Sequence, residues 1–288
     1  MAVQMKKSIE QRNIEIFPTI TERVNKLYDA YLLDLDGTVL LGNNLIPGAE
    51  KVIKMLRDLD KRVIFISNNS TSSASSYADQ LTSLGVPTQN YDVINSSQVL
   101  INFLNKNLPQ GRLLVLGEPE LCGDLESNGF YVTDNDSDVD AVIASFDRSF
   151  NYQKLQAAFD AIKNGARFYA TNSDKYRPLK NGGQPDAGSI IAAIEACTEK
   201  KCEVIVGKPS HHIVEYLTST ILNPNSNCII VGDRPETDIQ MGINASIDSA
   251  LVLTGATSFK NNLSLEIQPT YLIKSILNLL PENIFNNL

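Results

Sequence analysis

Two carboxylates end the first apolar run of the sequence. The stretch YLLDLDGTVL, residues 31 to 40, runs strand-forming residues into Asp34-Leu35-Asp36 and then breaks at Gly37. Such a run is typical of a buried strand in a parallel sheet. Carboxylates at its end are costly to remove from water unless another group compensates their charge. The spacing indicates either a solvated turn or a pair of carboxylates that does chemistry.

Three further segments place polar residues after other predicted strands. RVIFISNN ends in Ser67 and Asn68, GKPS supplies Lys208, and VGDRPETDI supplies Asp233 and Asp238. Ligands of open α/β sheets bind outside the carboxyl ends of the strands, so we expect these distant segments to converge at one site.

The residue types at this predicted site indicate its chemistry. Oxygen ligands without Cys or His select a hard cation, and Mg²⁺ is the natural candidate. A lysine and a serine beside that cation favour an anion, most economically a phosphoryl group, whose transfer depends on positioning and charge neutralisation. Paired carboxylates can divide the roles of nucleophile and proton donor.

The pattern around these segments predicts an α/β fold with a doubly wound, Rossmann-like parallel sheet. After the first strand, a helical face carries apolar residues from Ala49 to Leu59, and RVIFI (62–66) is a second strand. Helices are expected over Ser73–Leu84 and Ser96–Asn105. The segments EVIVG, NCIIVGD and DSALVLTG are expected to complete this sheet.

The middle of the chain repeats the alternation and predicts an inserted α/β domain. Strands are expected near 112–116, 140–145 and 167–171, and helices near Glu118–Ser127, Tyr152–Lys163 and Ser189–Ala196. LPQG and TEKK flank this block as linkers. We therefore predict a catalytic core from residues 1–107 and 203–288, with an insert at 108–202.

Composition limits the kinds of partner. The 288 residues carry a net charge of −8 and no run of Lys and Arg, so neither nucleic acid nor an anionic membrane is an expected partner. The N-terminus lacks an export signal, and no apolar run approaches the roughly 18 residues of a membrane span. The four cysteines form no metal or disulfide pattern. We expect a cytoplasmic enzyme or binding protein in which His211 and His212, the only histidines, open a helix at the surface.

Four segments also resemble a known family. DLDGTVL, ISNN, GKPS and GDRPETDI are similar, in order, to the four motifs of the haloacid dehalogenase superfamily of phosphohydrolases. The insert resembles the type-two cap of that superfamily. NSDKYRPL and PDAGS within it are similar to the branch that contains p-nitrophenylphosphatase, phosphoglycolate phosphatase and pyridoxal phosphatase.

The resemblance implies a role for each matching catalytic residue. Asp34 would be the nucleophile that becomes an aspartyl phosphate, and Asp36 would protonate the leaving alkoxide and then activate water. Lys208 would bridge Asp34 and the phosphate. Gly37 would allow the tight turn that returns Asp36 to the site, and Thr38 would brace that loop.

The resemblance also implies the binding residues. Ser67, Asn68 and the Asn69 amide would hold phosphoryl oxygens. The Mg²⁺ ligands would be a set of acidic residues, of which Asp36 contributes its backbone carbonyl and Asp238 supports the ion or its waters: Asp34, Asp36, Asp233 and Asp238.

Discrimination between substrates is expected from the cap. Its expected contacts are Asn172, Asp174 and Arg177, and an Arg177 that enters the site favours a small phosphorylated metabolite with a second acidic group, such as phosphoglycolate. The chain departs from the branch in two places: Asp186 follows Pro185 where many members have glycine, and Arg177 stands where the pyridoxal phosphatases have histidine. The second departure weighs against pyridoxal phosphate as the main substrate. Sugar-phosphate or nucleotide phosphatases, and a phospho-accepting or ligand-binding module without turnover, remain alternatives. Caps of this branch often pair subunits, so a homodimer is predicted.

Overall fold

The first sheet is built from six parallel strands with β1 near its centre. The structure is a computed structural model and describes residues 21, 23–135, 137–179, 182–220, 226–257 and 266–286. The strand order is β15-β14-β13-β1-β4-β5. The bounds are β1 (Ala30–Asp34), β4 (Arg62–Ser67), β5 (Val93–Asn95), β13 (Cys228–Gly232), β14 (Asp248–Val252) and β15 (Tyr271–Ile273). All five residues of β1 are buried, as expected for a central strand covered on both faces.

Helices cover both faces of this sheet, and local sequence signals fix where they begin. The Ser73 side chain accepts a hydrogen bond from Ser76 N at 3.1 Å, and Asn95 caps the next helix in the same way. The helices are α1 (Ala49–Asp58), α2 (Ala74–Ser83), α3 (Ser96–Asn107), α7 (His211–Thr220), α8 (Gln240–Ala245) and α9 (Glu282–Phe285). A π-helical turn, Pro235–Ile239, precedes α8. This arrangement confirms the predicted doubly wound core.

A second sheet of five strands lies in the middle of the chain, in the order β12-β9-β8-β6-β7. Its strands are β6 (Arg112–Leu116), β7 (Tyr131–Val132), β8 (Ala141–Ala144), β9 (Arg167–Ala170) and β12 (Val204–Ile205). Its helices are α4 (Pro119–Ser127), α5 (Tyr152–Lys163) and α6 (Ala187–Thr198). Two antiparallel hairpins complete the strands, β2 (Leu40–Leu41) with β3 (Asn44–Leu45) and β10 (Tyr176–Leu179) with β11 (Gly182–Pro185). No helix in the described parts of the chain is both long and apolar enough to cross a membrane.

The strand predicted from EVIVG was assigned to the wrong sheet. β12 pairs in parallel with β9, with Val204 opposite Tyr169, so it closes the second sheet instead of the first. It has only two residues, both half-buried, and the Glu203 carboxylate accepts from Phe168 N at 3.2 Å. The chain therefore runs alongside β9 as a paired strand before it crosses to the core. The division at residue 202 stays a prediction, and this pairing favours an end of the insert after Ile205.

One apolar cluster joins the two sheets. Leu32 and Ile230 of the first sheet share this cluster with Leu113 and Ile143 of the second. Phe103 of α3 lies in it, and its ring meets that of Tyr169 edge-on with the centroids 5.2 Å apart. Burial of this shared surface, in addition to the chain connections, holds the second sheet against the core.

Candidate active site

Polar side chains meet at the carboxyl edge of the first sheet, as predicted. Asp34 is the last residue of β1, Ser67 ends the neighbouring β4, and Asp233 directly follows β13 on the other side. All three residues are buried. Because parallel strands bring their carboxyl ends to one edge, the fold gathers residues almost 200 positions apart.

Lys208 connects two of the carboxylates. Its Nζ lies 2.5 Å from Asp34 Oδ1 and 2.6 Å from Asp238 Oδ1, and its side chain is 3% exposed. Burial alone would lower the pKa of Lys208, but Asp238 and Asp34 outweigh it and raise that pKa, so the ammonium stays charged. Burial raises the pKa of Asp34 well above its ordinary value; Lys208 opposes this shift, and Asp238 and Asp233 add to it.

The acidic cluster fits a divalent cation. Carboxylate oxygens of Asp34, Asp233 and Asp238 all lie within 4.8 Å of one another. Burial, followed by the charge of Asp238, raises the pKa of Asp233 to about 7. Lys208 and the half-buried Arg234 bring two positive charges to three buried carboxylates, so the site gains from further positive charge. An all-oxygen donor set suits Mg²⁺.

Asp36 and Gly37 form the mouth of the site. Asp36 is exposed, and Gly37 has a φ of +97°. A Cβ on Gly37 would lie 2.3 Å from Asp233 Oδ2, so glycine permits both the turn and the close approach to Asp233. The Gly37 carbonyl accepts from Thr254 Oγ1 at 2.5 Å. The Thr38 hydroxyl has no hydrogen-bond partner among the described residues, but Thr38 N donates to Leu35 O at 3.3 Å, so the bracing role of Thr38 stays a prediction.

The side chains after β4 make more hydrogen bonds within the protein than the sequence suggested. Asn68 Oδ1 accepts from Lys208 N at 2.8 Å, and Asn68 Nδ2 donates to Lys208 O at 3.1 Å. Asn69 Nδ2 donates to Tyr77 Oη at 2.6 Å, and Asn69 N donates to Ser67 Oγ at 3.1 Å. The Asn68 side chain is therefore occupied by the Lys208 backbone, and the contact of Asn68 with phosphate stays a prediction.

Asn172 links the two sheets through a buried hydrogen bond. It is 1% exposed, and its Nδ2 donates to Asn68 O at 3.1 Å. A buried hydroxyl chain runs beside it: Thr171 Oγ1 donates to Ser145 Oγ at 2.9 Å, which lies 2.6 Å from Ser70 Oγ. The amide nitrogen of Asn172 is therefore occupied between the sheets, and the substrate contact of Asn172 stays a prediction.

The other two predicted cap residues, Asp174 and Arg177, differ in their contacts. Asp174 Oδ2 accepts from Asn68 Nδ2 at 3.2 Å, and burial raises the pKa of Asp174. Arg177 is half-buried with its guanidinium carbon 4.9 Å from the Phe146 ring centroid. Arg177 forms no ion pair within 4.0 Å with a carboxylate of the described residues, although burial raises the pKa of Asp186 and the charge of Arg177 opposes this rise. Asp186, flagged from the sequence, caps α6 by accepting from Ala187 N at 2.6 Å.

Two residues of the site were missed from the sequence. The Tyr77 hydroxyl lies at the loop after β4, where it accepts from Asn69 Nδ2, and burial followed by the charge of Asp36 raises the pKa of Tyr77. Arg234 is half-buried. Burial lowers the pKa of Arg234, but the charges of Asp174 and then Asp233 raise it by more, so the net shift is upward. The signal for Arg234 was present, because a cation stands inside the acidic motif GDRPETDI.

Comparison with known proteins places this site in context. A model of the haloacid dehalogenase-like hydrolases matches residues 31–131, and a second HAD-hydrolase-like model matches residues 205–279.

Similarity also extends over most of the chain. The sugar-phosphatase AraL of Bacillus subtilis is 37% identical over 85% of this chain and 89% of its own length. Phosphoglycolate phosphatase 1A of Arabidopsis thaliana is 32% identical over 88% of this chain and 78% of its own. The crystal structure of 4-nitrophenylphosphatase from Thermotoga maritima superposes with a TM-score of 0.81 at 34% identity, covering 86% of this chain and 95% of that one.

Proposed function

The chain belongs to the haloacid dehalogenase-like hydrolases and is a phosphoric monoester hydrolase, and from this premise we propose that Asp34 and Mg²⁺ carry its reaction on a small phosphorylated metabolite. The observation that supports the assignment most is the double contact of Lys208 Nζ with Asp34 and Asp238 beside Asp233. A structural ion pair would need one carboxylate, whereas this site buries three around one ammonium.

Asp34 is the proposed nucleophile. Its Oδ1 faces Lys208, which leaves Oδ2 to form the bond to phosphorus and give an aspartyl phosphate. Because burial favours the protonated acid, Lys208 is needed to keep Asp34 ionised. Asp36, exposed at the mouth, gives its proton to the leaving alkoxide and then takes one from the water that attacks the acyl phosphate.

The metal site is proposed from the same carboxylates. Asp34 and Asp233 would hold Mg²⁺ together with the Asp36 backbone carbonyl. Asp238 is already committed, because its Oδ1 faces Lys208 and its Oδ2 accepts from Arg234 N at 3.1 Å, so it would act through Lys208 and metal-bound water. When bound, the cation supplies positive charge against the phosphoryl oxygens.

Phosphate binding is proposed for Ser67 and the loop after it. The Ser67 hydroxyl and the Asn68 and Asn69 segment would face the phosphoryl oxygens. The Asn68 side chain acts by positioning Lys208. Arg177 supports a substrate that carries a second anionic group, since its guanidinium lies beside the site without a carboxylate partner among the described residues.

Turnover with and without metal tests the proposal. The purified protein should release many equivalents of phosphate from p-nitrophenyl phosphate with Mg²⁺, and excess EDTA should abolish the release. Release of one equivalent per chain, followed by a stable phosphoprotein, would instead favour a phospho-accepting module. Absence of hydrolysis of any phosphomonoester by folded protein would contradict the proposal.

We also propose a cytoplasmic homodimer that forms through the cap. The second sheet, which belongs to the predicted cap, has β7 as an edge strand, and Tyr131 in β7 is 66% exposed. Tyr152 at the start of α5 is 79% exposed. Exposed aromatic side chains of this kind are common at interfaces. All four cysteines are unpaired, which suits a reducing compartment. Sedimentation of the wild type and of Tyr131→Ser at micromolar concentration would test the dimer.

A further inference from the structure

Three metal-ligating side chains cluster on the first turn of α7, away from the carboxylate site. His211, His212 and Glu215 place one ligand atom each within 4.8 Å of the others. Glu215 follows His211 by four residues and His212 by three, and both spacings bring side chains together on a helix. The carboxylate therefore lies against both imidazoles.

Their separations fit ligands better than hydrogen-bond partners. His212 Nδ1 is 3.8 Å from Glu215 Oε2, longer than the roughly 2.7–3.2 Å of an N–H···O bond. Two ligands held at about 2.0–2.1 Å from a cation lie about 3.3 Å apart in a tetrahedron and about 4.2 Å apart when opposite. The two imidazole rings are neighbours, with centroids 4.0 Å apart and planes tilted by 37°, and each ring has a nitrogen within 4.8 Å of the other ligand atoms.

One of the three ligands is already held in place. The His212 ring packs against Phe103 with centroids 4.9 Å apart, and His212 N donates to Ser210 Oγ at 3.3 Å. His211 and Glu215 are exposed and can turn toward an ion.

We propose that His211, His212 and Glu215 form a second cation site, which takes a borderline-soft divalent transition metal such as Zn²⁺, Ni²⁺ or Cu²⁺. Two imidazoles and one carboxylate prefer these ions over Mg²⁺, whereas the all-oxygen cluster at Asp34 has the opposite preference. Water would complete the coordination, since these three side chains leave positions open. The bound ion would restrict the motion of the first turn of α7, which begins three residues after Lys208.

Pulsed EPR of bound Cu²⁺ tests the site directly. The chain has only two histidines, so in untagged protein every imidazole-nitrogen signal reports on this cluster. With Mg²⁺ in excess to occupy the carboxylate site, one equivalent of Cu²⁺ should show two coordinated imidazoles. His211→Ala should leave one, and His212→Phe, which keeps a ring against Phe103, should also leave one. Absence of imidazole coordination in the wild type would overturn the proposal.

Competition with Zn²⁺ tests the third ligand and the preference for metal. Because Cu²⁺ binds such sites more tightly than Zn²⁺, a large excess of Zn²⁺ should be needed to displace the Cu²⁺, whereas the same excess of Mg²⁺ should not displace it. Glu215→Gln should weaken Zn²⁺ binding roughly tenfold or more, a loss typical for groups that support a metal site. Glu120→Gln, an exposed glutamate in the first turn of α4, is the matched control and should change nothing. Equal affinities of Glu215→Gln and Glu120→Gln would overturn the three-ligand site, and neither readout depends on phosphatase activity.

Discussion

The Asn68 side chain holds the backbone of Lys208 on both sides. Its Oδ1 accepts from Lys208 N at 2.8 Å and its Nδ2 donates to Lys208 O at 3.1 Å, across 140 residues of sequence. Asn68 follows a strand of the first sheet and Lys208 follows a strand of the second. This pair therefore fixes the position of the Lys208 ammonium at Asp34, although Lys208 follows a strand of the other sheet.

Asn68→Ala should lower kcat by much more than the loss of protein stability alone would explain. The change leaves two buried backbone groups of Lys208 unpaired, each worth about 1–3 kcal/mol, and lets the ammonium move. A displacement near 1 Å can cost about 100-fold in rate. Asn151→Ala, which removes the cap of α5 at a cost of about 1 kcal/mol, is the control. Steady-state kinetics and Tm of both variants decide, and a normal kcat in Asn68→Ala would refute the positioning role.

Asp34→Asn should abolish turnover without unfolding the protein. The amide keeps the shape but cannot attack phosphorus, so kcat should fall below about a tenth of wild type. Removing one of three crowded carboxylates relieves repulsion, and Lys208 keeps Asp238, so Tm in EDTA should stay within about 3 °C of wild type. Asp58→Asn, which alters an exposed pair with Lys54, should retain activity. An active Asp34→Asn protein would remove this residue from the nucleophile role.

Stabilisation by Mg²⁺ should grow as the pH rises from 6 to 8. The pKa of Asp233 is raised to about 7, so without metal its protonation stabilises the fold at low pH, and this contribution is lost as the pH rises through 7. Below that value the ion must displace a proton, which weakens its binding by about tenfold per pH unit for one proton. Thermal shifts with and without Mg²⁺ at each pH measure the effect. Asp233→Asn should remove the shift, and a pH-independent shift in the wild type would contradict the assignment.

Gly37→Ala should disrupt the metal site, whereas Gly42→Ala should not. Both glycines have positive φ, at +97° and +61°, so both substitutions carry a backbone cost of about 1–2 kcal/mol. The Cβ at Gly37 would meet Asp233 Oδ2 at 2.3 Å, but the Cβ at Gly42 meets nothing within 4 Å. We expect Gly37→Ala to lose the Mg²⁺-dependent thermal shift and more than about tenfold in kcat/KM. Similar losses in both variants would show that backbone strain, and not the approach to Asp233, is responsible.

Sequence periodicity predicted the strands that carry the site because their apolar runs are long. β1 and β4 came from such runs, and their polar ends gave Asp34 and Ser67. The two-residue β12 was assigned to the wrong sheet, since the choice of partner for a short edge strand depends on tertiary contacts that no local pattern records.

Side-chain roles were less predictable than side-chain positions. Asn68 and Asn172 lie at the site, but their side-chain amides donate hydrogen bonds to backbone carbonyls of distant segments. Tyr77 reads as an ordinary apolar position of α2, and only the packed structure brings its hydroxyl to Asn69. Hydrogen-bond partners far apart in sequence are fixed by the fold and have no local signature.

Substrate preference should depend on Arg177. Its guanidinium lies 4.9 Å from the Phe146 ring centroid with no carboxylate partner among the described residues, so a second acidic group on the substrate can pair with it. Arg148 also lies over Phe146, at 6.0 Å, but it is paired with Glu118. Arg148→Ala is therefore a matched control for the loss of an arginine from this ring.

The measurement is a panel of phosphorylated metabolites ranked by kcat/KM for wild type, Arg177→Ala and Arg148→Ala. A charge-assisted hydrogen bond contributes about 1.5–3 kcal/mol, so Arg177→Ala should lower kcat/KM for phosphoglycolate by about 10- to 100-fold. Neutral-tailed sugar phosphates and p-nitrophenyl phosphate should change less than about threefold, because they offer no second anion. Arg148→Ala should leave the ranking unchanged. If Arg177→Ala shifts every substrate by one common factor, or if sugar phosphates lose as much as phosphoglycolate, the residue does not select the tail of the substrate.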